Sequence, residues 1–196
     1  MSIRRVAGQR GISLIELIIF IVVIGVAVAG VLAAFISSTR ASADPMIQKQ
    51  ALAIAEALLE EVQLQPFTYC DPDDTAAAAA LSSADCSGGA GGANDESRTP
   101  LTHEGESRTS VPLFDNVSDY NGLTVDPITN INGTALGLNG YSATIAVATQ
   151  GIGAIGIIPA IPVDEALLIT VTVTGPGNTT VVLHGYRVRY APNALP

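Results

Sequence analysis

The chain has no tryptophan, few other aromatic residues, and only nine lysines and arginines against eighteen aspartates and glutamates. This shortage of positive charge gives the 196 residues a formal net charge of −9, which disfavours a general nucleic-acid-binding surface. The two histidines, His103 and His184, lack the spacing of zinc ligands. We therefore expect no nucleic-acid partner and no cofactor.

Motifs of the common enzyme classes are also missing. The sequence contains no G-x-S-x-G, no H-E-x-x-H and no P-loop. The glycines of 151–156 formally match G-x-G-x-x-G, but Pro159 and Pro162 follow. A dinucleotide site needs a helix to begin at that point, and these prolines forbid a helix interior. We expect no enzymatic activity.

The sequence does have one long apolar run near its N-terminus. From Leu17 to Ile36 there are 20 residues without a charge, which as a helix span roughly 30 Å, the thickness of a bilayer core. Arg4, Arg5 and Arg10 precede the run, and only Arg40 follows closely. The positive-inside bias therefore predicts a single-pass protein with a cytoplasmic N-terminus and the rest of the chain outside.

A single glutamate, Glu16, stands at the start of this run, and burying an ionisable group at the centre of a bilayer costs on the order of 2.5–3.5 kcal/mol even on lenient insertion scales. A cleaved secretory signal has a small-residue site at 41–43, but its apolar core would be only roughly 7–15 residues long. A plain signal anchor explains the length and leaves the glutamate as an unexplained cost.

A third interpretation accounts for the glutamate. The stretch GISLIE, Gly11 to Glu16, resembles the prepilin signature of type IV pilins and type II secretion pseudopilins. The resemblance implies that residues 1–11 are a leader, cut off after Gly11 by a prepilin peptidase on the cytoplasmic face. Ile12 would then become the N-methylated first residue, and Glu16 the fifth residue of the mature chain, the assembly residue that sets register between subunits.

Cleavage also supplies a charge to balance the carboxylate. The new amine at Ile12 is cationic, and methylation keeps that charge. A cation and an anion that are each costly in lipid can compensate when they are paired. Ile12 and Glu16 lie one helical turn apart, so a pair within one chain and a pair between neighbouring subunits both remain open. The family resemblance implies the pair between subunits.

An amphipathic stretch follows, MIQKQALAIAEALLEEVQLQ at 46–65. Its apolar residues recur at helical spacing and predict a helix that covers a sheet of its own domain; they are Ile47, Ala51, Ile54, Leu58 and Val62. Pro66 ends it. The predicted stem therefore has a transmembrane or filament-core part at 12–40 and an amphipathic part at 41–66.

The combination of this helix with CDPDD at 70–74 is similar to the MshD-type minor pilins of mannose-sensitive haemagglutinin (MSHA) pilus systems. That resemblance implies an α+β, pilin-like fold with a long N-terminal helix packed on a C-terminal antiparallel sheet. It implies an inner-membrane precursor with a periplasmic head, and a pilus subunit after assembly. Its partners would be other pilin subunits and the prepilin peptidase/methylase.

Two other functions remain open at this stage. A minor pseudopilin of a type II secretion system would have the same fold and a short periplasmic filament. A membrane-anchored periplasmic ligand-binding domain would have an intact N-terminus.

Two cysteines and three aspartates are the other candidate site residues. Cys70 and Cys86 both lie on the outer side of the predicted membrane span, where an oxidising compartment favours a disulfide over free thiols. Asp71, Asp73 and Asp74 offer hard oxygen ligands for calcium, but Asp-Pro-Asp is also ordinary turn chemistry. We favour the solvated turn and expect no metal.

The remaining sequence divides into two parts. Residues 67–110 form a low-complexity loop pinned by the disulfide, and 75–110 are expected to be mobile and exposed. The part 111–196 is β-rich, with strands expected at 141–149, 166–174 and 179–190 and a hairpin turn at 175–178. Leu168, Val171 and Val173 are expected on the apolar face of the middle strand.

Overall fold

The computed structural model describes residues 13–97, 100–103, 105–154, 159–191 and 193, without the side chains of 37–44. The chain divides into two compact units, which we call the N-terminal unit (Met1–Pro45) and the head unit (Met46–Pro196). One α-helix, α1 (Leu14–Leu64), contains Pro45 and contributes to both. The predicted leader, Gly11 and Ile12 lie outside the described residues.

The head unit contains a four-stranded antiparallel sheet in the order β1-β2-β3-β4. Its strands are β1 (Thr124–Val125), β2 (Ser142–Thr149), β3 (Ala166–Gly175) and β4 (Thr179–Val188). The sequence predicted the last three, and the short turn Pro176–Asn178 joins β3 to β4 as expected. The two-residue β1 was not predicted. The α+β class is confirmed.

Alternation along β3 determines which face of the sheet is buried. Leu167, Ile169, Val171 and Val173 are fully buried, and the threonines between them face the other side. The prediction that Leu168 belongs to the buried face is wrong, because it has the opposite parity and is partly exposed. Position 168 shares its parity with Thr170 and Thr172, so the same alternation places Leu167 on the buried face and Leu168 on the other.

The second part of α1 covers the apolar face of the sheet. Four of the five predicted stripe residues (Ala51, Ile54, Leu58 and Val62) are buried, and Ile47 packs partly against the same core. Gly185 of β4 lets the helix approach closely, since a Cβ there would lie 2.9 Å from Leu59 Cδ1. Burying each large apolar side chain contributes about 1.5–3 kcal/mol, so this contact is a principal source of stability in the head unit.

The expectation of an exposed loop at 75–110 is only partly right, because more than half of its described residues are exposed and they form no strand or α-helix, but several of them are buried. Cys70 and Cys86 form a disulfide with an S–S distance of 2.07 Å, as predicted, and Ala77 and Ala80 are buried beside it. Asp74 accepts hydrogen bonds from the backbone N–H and hydroxyl of Ser87, each at 2.6 Å. Short side chains can pack on a disulfide, and aspartates can order turns without regular secondary structure, so composition alone misjudged this part of the segment.

Candidate functional site

The first part of α1 exposes an apolar surface. From Leu14 to Ile36 the helix is long and apolar enough to cross a membrane, and none of it is buried within the chain. Every leucine, isoleucine, valine and phenylalanine in this span is at least 44% exposed. Such a continuous surface is unstable in water and needs lipid or other helices around it.

Glu16 is the only charged residue of this span and lies in the first turn of α1, with its side chain exposed. The partial positive charge at a helix N-terminus favours a carboxylate by about 0.3–1 kcal/mol. That is less than the roughly 2.5–3.5 kcal/mol that a charge costs deep in a membrane. The helix dipole alone therefore does not offset the cost of Glu16, and a separate cation is needed if the residue is buried in lipid or in a filament.

A second group of charged residues lies in the head unit. Four residues, Asp71, Asp73, Glu106 and Asp115, each place one carboxylate oxygen within 4.8 Å of the others. We call these four residues the acidic cluster. Asp71 and Asp73 sit in a turn directly after Cys70, in which the backbone N–H of Asp73 donates to Asp71 Oδ1 at 2.7 Å.

A backbone loop closes next to this turn and supplies the other two carboxylates. The N–H of Ser107 donates to the carbonyl of Pro112 at 3.0 Å, and the N–H of Phe114 donates to the carbonyl of Ser107 at 3.1 Å. These bonds bring residues 106 and 115 together although nine positions separate them in sequence.

Two further carboxylates lie behind the cluster. Asp119 is buried and accepts hydrogen bonds from the backbone N–H groups of Asp115 (3.1 Å) and Asn116 (2.7 Å). Glu96 is also buried and accepts a hydrogen bond from the hydroxyl of Ser118. The short 3-10 helix Val117–Tyr120 holds both contacts in place.

The acids in this region resist ionisation. Burial, followed by the neighbouring carboxylates, raises the pKa of Glu106 to about 8 and that of Asp115 to about 7. Burial also raises the pKa of Glu96 to about 8, that of Asp119 to about 7 and, by a smaller amount, that of Asp71. The ionised carboxylates therefore destabilise one another in the protein alone.

The three aspartates considered as calcium ligands do not all belong to the acidic cluster. Asp71 and Asp73 join the acidic cluster, but Asp74 bonds to Ser87 and Ala76, and these bonds lower its pKa. The set Asp71, Asp73 and Asp74 is thus replaced by one that includes Glu106 and Asp115. Sequence reasoning missed these two because no local motif connects them to CDPDD.

No model of a known protein family matches the chain, and no curated protein or solved structure matches it either. A function therefore has to be argued from the apolar helix, Glu16 and the head unit themselves.

Proposed function

We propose that the chain is a minor, pilin-like structural subunit of a type IV pilus of the MSHA type. It is made as an inner-membrane precursor, cut by the prepilin peptidase and added to the pilus. In this role the protein is a substrate of a processing enzyme and not an enzyme. The observation that carries the proposal is one carboxylate, Glu16, in the first turn of an otherwise uncharged and exposed helix.

The proposal explains why the carboxylate is tolerated. Cutting the bond between Gly11 and Ile12 creates an amine four residues before Glu16. In a filament this amine on one subunit neutralises Glu16 of its neighbour, so that neither charge stays unpaired in an apolar environment. Because the pair forms only when two helices are at the correct offset, it also sets the register between subunits.

The two parts of α1 fit different tasks. The large apolar side chains of Leu14–Ile36 are exposed and can therefore contact lipid or neighbouring helices. The part that contains Ala51, Leu58 and Val62 is already used by the sheet. A subunit of this kind can exchange lipid for neighbouring helices without disturbing the fold of its head.

The three leader arginines support an orientation with the N-terminus in the cytoplasm and the head in the periplasm.

A minor pseudopilin of a type II secretion system shares every feature used here, and a deletion of the pilus or of the secretion genes distinguishes the two assemblies. A membrane-anchored ligand-binding domain differs earlier, because it keeps its N-terminus intact.

Processing provides a direct test. The full chain is co-expressed with a prepilin peptidase, and cleavage is followed by electrophoretic mobility and intact mass. We expect Gly11→Val to abolish cleavage, since a side chain at that position obstructs the scissile bond in the peptidase. Gly8→Val, a matched change within the same leader, should leave cleavage unchanged.

If neither variant is cleaved, the leader does not tolerate a larger side chain at either position, and the result does not identify Gly11 as the cleavage position. Uncut wild-type chain in the presence of an active peptidase would refute the proposal and leave a membrane-anchored periplasmic domain as the remaining interpretation.

A further inference from the structure

The acidic cluster has no part in membrane anchoring or in filament assembly as proposed above. We propose that Asp71, Asp73, Glu106 and Asp115 bind one calcium ion. All four residues lie in the head unit, so this inference does not depend on the pilus assignment.

The spacing of the carboxylate oxygens fits an ion between them. One oxygen from each of the four residues lies within 4.8 Å of the others. Calcium binds oxygen ligands at about 2.3–2.6 Å, so two ligands on opposite sides of the ion are separated by roughly 4.6–5.2 Å. The four oxygens can therefore contact one ion with little movement, and water or backbone carbonyls would complete its shell of about 6–8 ligands.

Glu106 points independently to a missing ligand. The residue is only 9% exposed, and its Oε2 atom is buried without a hydrogen-bond partner among the described residues. Buried carboxylate oxygens are normally paired, because a buried and unsatisfied charged group is among the costliest features of a fold. A cation bound by the Glu106 carboxylate, through one or both of its oxygens, would supply the positive partner that the described residues do not provide.

Among the described residues, no ion pair neutralises the carboxylates of the acidic cluster. The two ion pairs of the described chain are Arg108–Glu61 and Arg189–Glu165, and neither includes a member of the cluster. Arg108 is close in sequence to Glu106, but its guanidinium group is held by both carboxylate oxygens of Glu61. A divalent cation would stabilise the ionised carboxylates against both their burial, which is the main cause of the raised pKa values, and their mutual repulsion.

The donor set favours calcium over other divalent metals. All four ligands are carboxylates, which are hard donors, and Cys70 and Cys86 are joined in a disulfide and cannot supply thiolates. The cluster mixes an exposed residue, Asp73, with the largely buried Glu106. Four carboxylates suit calcium, which takes 6–8 oxygen ligands in a flexible geometry, better than magnesium, which usually keeps several waters and binds one or two carboxylates.

The test uses the full chain in detergent, freed of metal with EDTA and titrated with CaCl2 by calorimetry. We expect one calcium ion per chain. Glu106→Gln and Asp73→Asn should each weaken the affinity by at least about tenfold, which is about 1.4 kcal/mol, because each replaces a charged oxygen ligand with a neutral amide. Glu60→Gln, an exposed charge on α1, is the matched control and should bind calcium as the wild type does.

Thermal unfolding gives a second readout that separates a ligand from a merely structural residue. Calcium at about 100 times its Kd should raise the Tm of the wild type by roughly 5–10 °C. With its affinity at least about tenfold weaker, Glu106→Gln should keep about half of this rise or less at the same calcium concentration. Without calcium it should be about as stable as the wild type, because burial keeps Glu106 largely protonated at neutral pH and glutamine is likewise neutral. Asp73→Asn changes an exposed side chain and keeps the test valid if Glu106→Gln does not fold.

The inference is overturned if calcium up to 10 mM neither binds nor raises the Tm, since the cluster would then hold protons. It is also overturned if both variants bind calcium like the wild type, or if magnesium binds equally well. None of these results affects the cleavage test at Gly11.

Discussion

Glu16→Val is expected to leave the chain in the membrane but to exclude it from filaments. Valine makes the span Leu14–Ile36 fully apolar, so insertion is retained or improved. In the filament, however, the amine of a neighbouring subunit would lose its counter-charge. An uncompensated charge at roughly 2.5–3.5 kcal/mol lowers incorporation on the order of 100-fold. The measurement is the ratio of this subunit in sheared pili to that in membranes, by quantitative immunoblotting.

Glu56→Val is the matched control, because it removes one glutamate from an exposed position of the same helix. It should enter filaments at the wild-type level. If the Glu16→Val subunit also appears in sheared pili at the wild-type ratio, Glu16 has no pairing role. In that case it is a solvated residue at the membrane surface.

Arg108→Met is expected to destabilise the head unit more than any exposed substitution. The guanidinium group of Arg108 donates to both carboxylate oxygens of Glu61, at 2.7 and 2.8 Å, and its Nη1 also donates to Thr129 Oγ1 at 3.0 Å. The two side chains are only 6% and 16% exposed. Removing one partner of a buried pair leaves the other charge uncompensated, which costs about 3–5 kcal/mol of the free energy of unfolding.

Urea denaturation of the detergent-solubilised full chain measures this loss. The double variant Glu61→Met/Arg108→Met should recover most of it, because replacing both charges with apolar groups of similar volume is often neutral. Lys49→Met, an exposed cation on α1, controls for the loss of positive charge and should change the free energy of unfolding by less than about 0.5 kcal/mol. A loss below about 1 kcal/mol for Arg108→Met would show that the pair is solvated and structurally unimportant.

The regular elements of the fold were readable from the sequence because their signals are local. The spacing of Ala51, Leu58 and Val62 predicted the face of α1 that covers the sheet, and alternation predicted three of its four strands. The strand β1 is only two residues long and pairs with β2 at Thr144 and Ala143, so it has no pattern of its own to detect. The parity of Leu168, by contrast, does follow from its own strand, because it matches that of Thr170 and Thr172.

Only two of the four residues of the acidic cluster could be recognised as neighbours from the sequence. Asp71 and Asp73 stand out as neighbours in sequence, but Glu106 and Asp115 reach them through the loop closed by Ser107 and Phe114. Composition suggested that 75–110 would be exposed, and more than half of its described residues are, but the disulfide and the hydrogen bonds of Asp74 order its first part up to Ser87. The disulfide was predictable, whereas the other contacts join residues far apart in the chain and leave no periodicity.

The claim on which this account depends is that proteolysis supplies the cation that Glu16 needs. Intact mass and N-terminal sequencing of the protein from native membranes and from sheared filaments test this most directly. We predict a chain that starts at N-methylated Ile12 and has lost Arg4, Arg5 and Arg10 with the leader, which changes its formal side-chain charge from −9 to 6 − 18 = −12. A protein that still begins at Met1, or that retains the Gly11–Ile12 bond within filaments, would contradict the account.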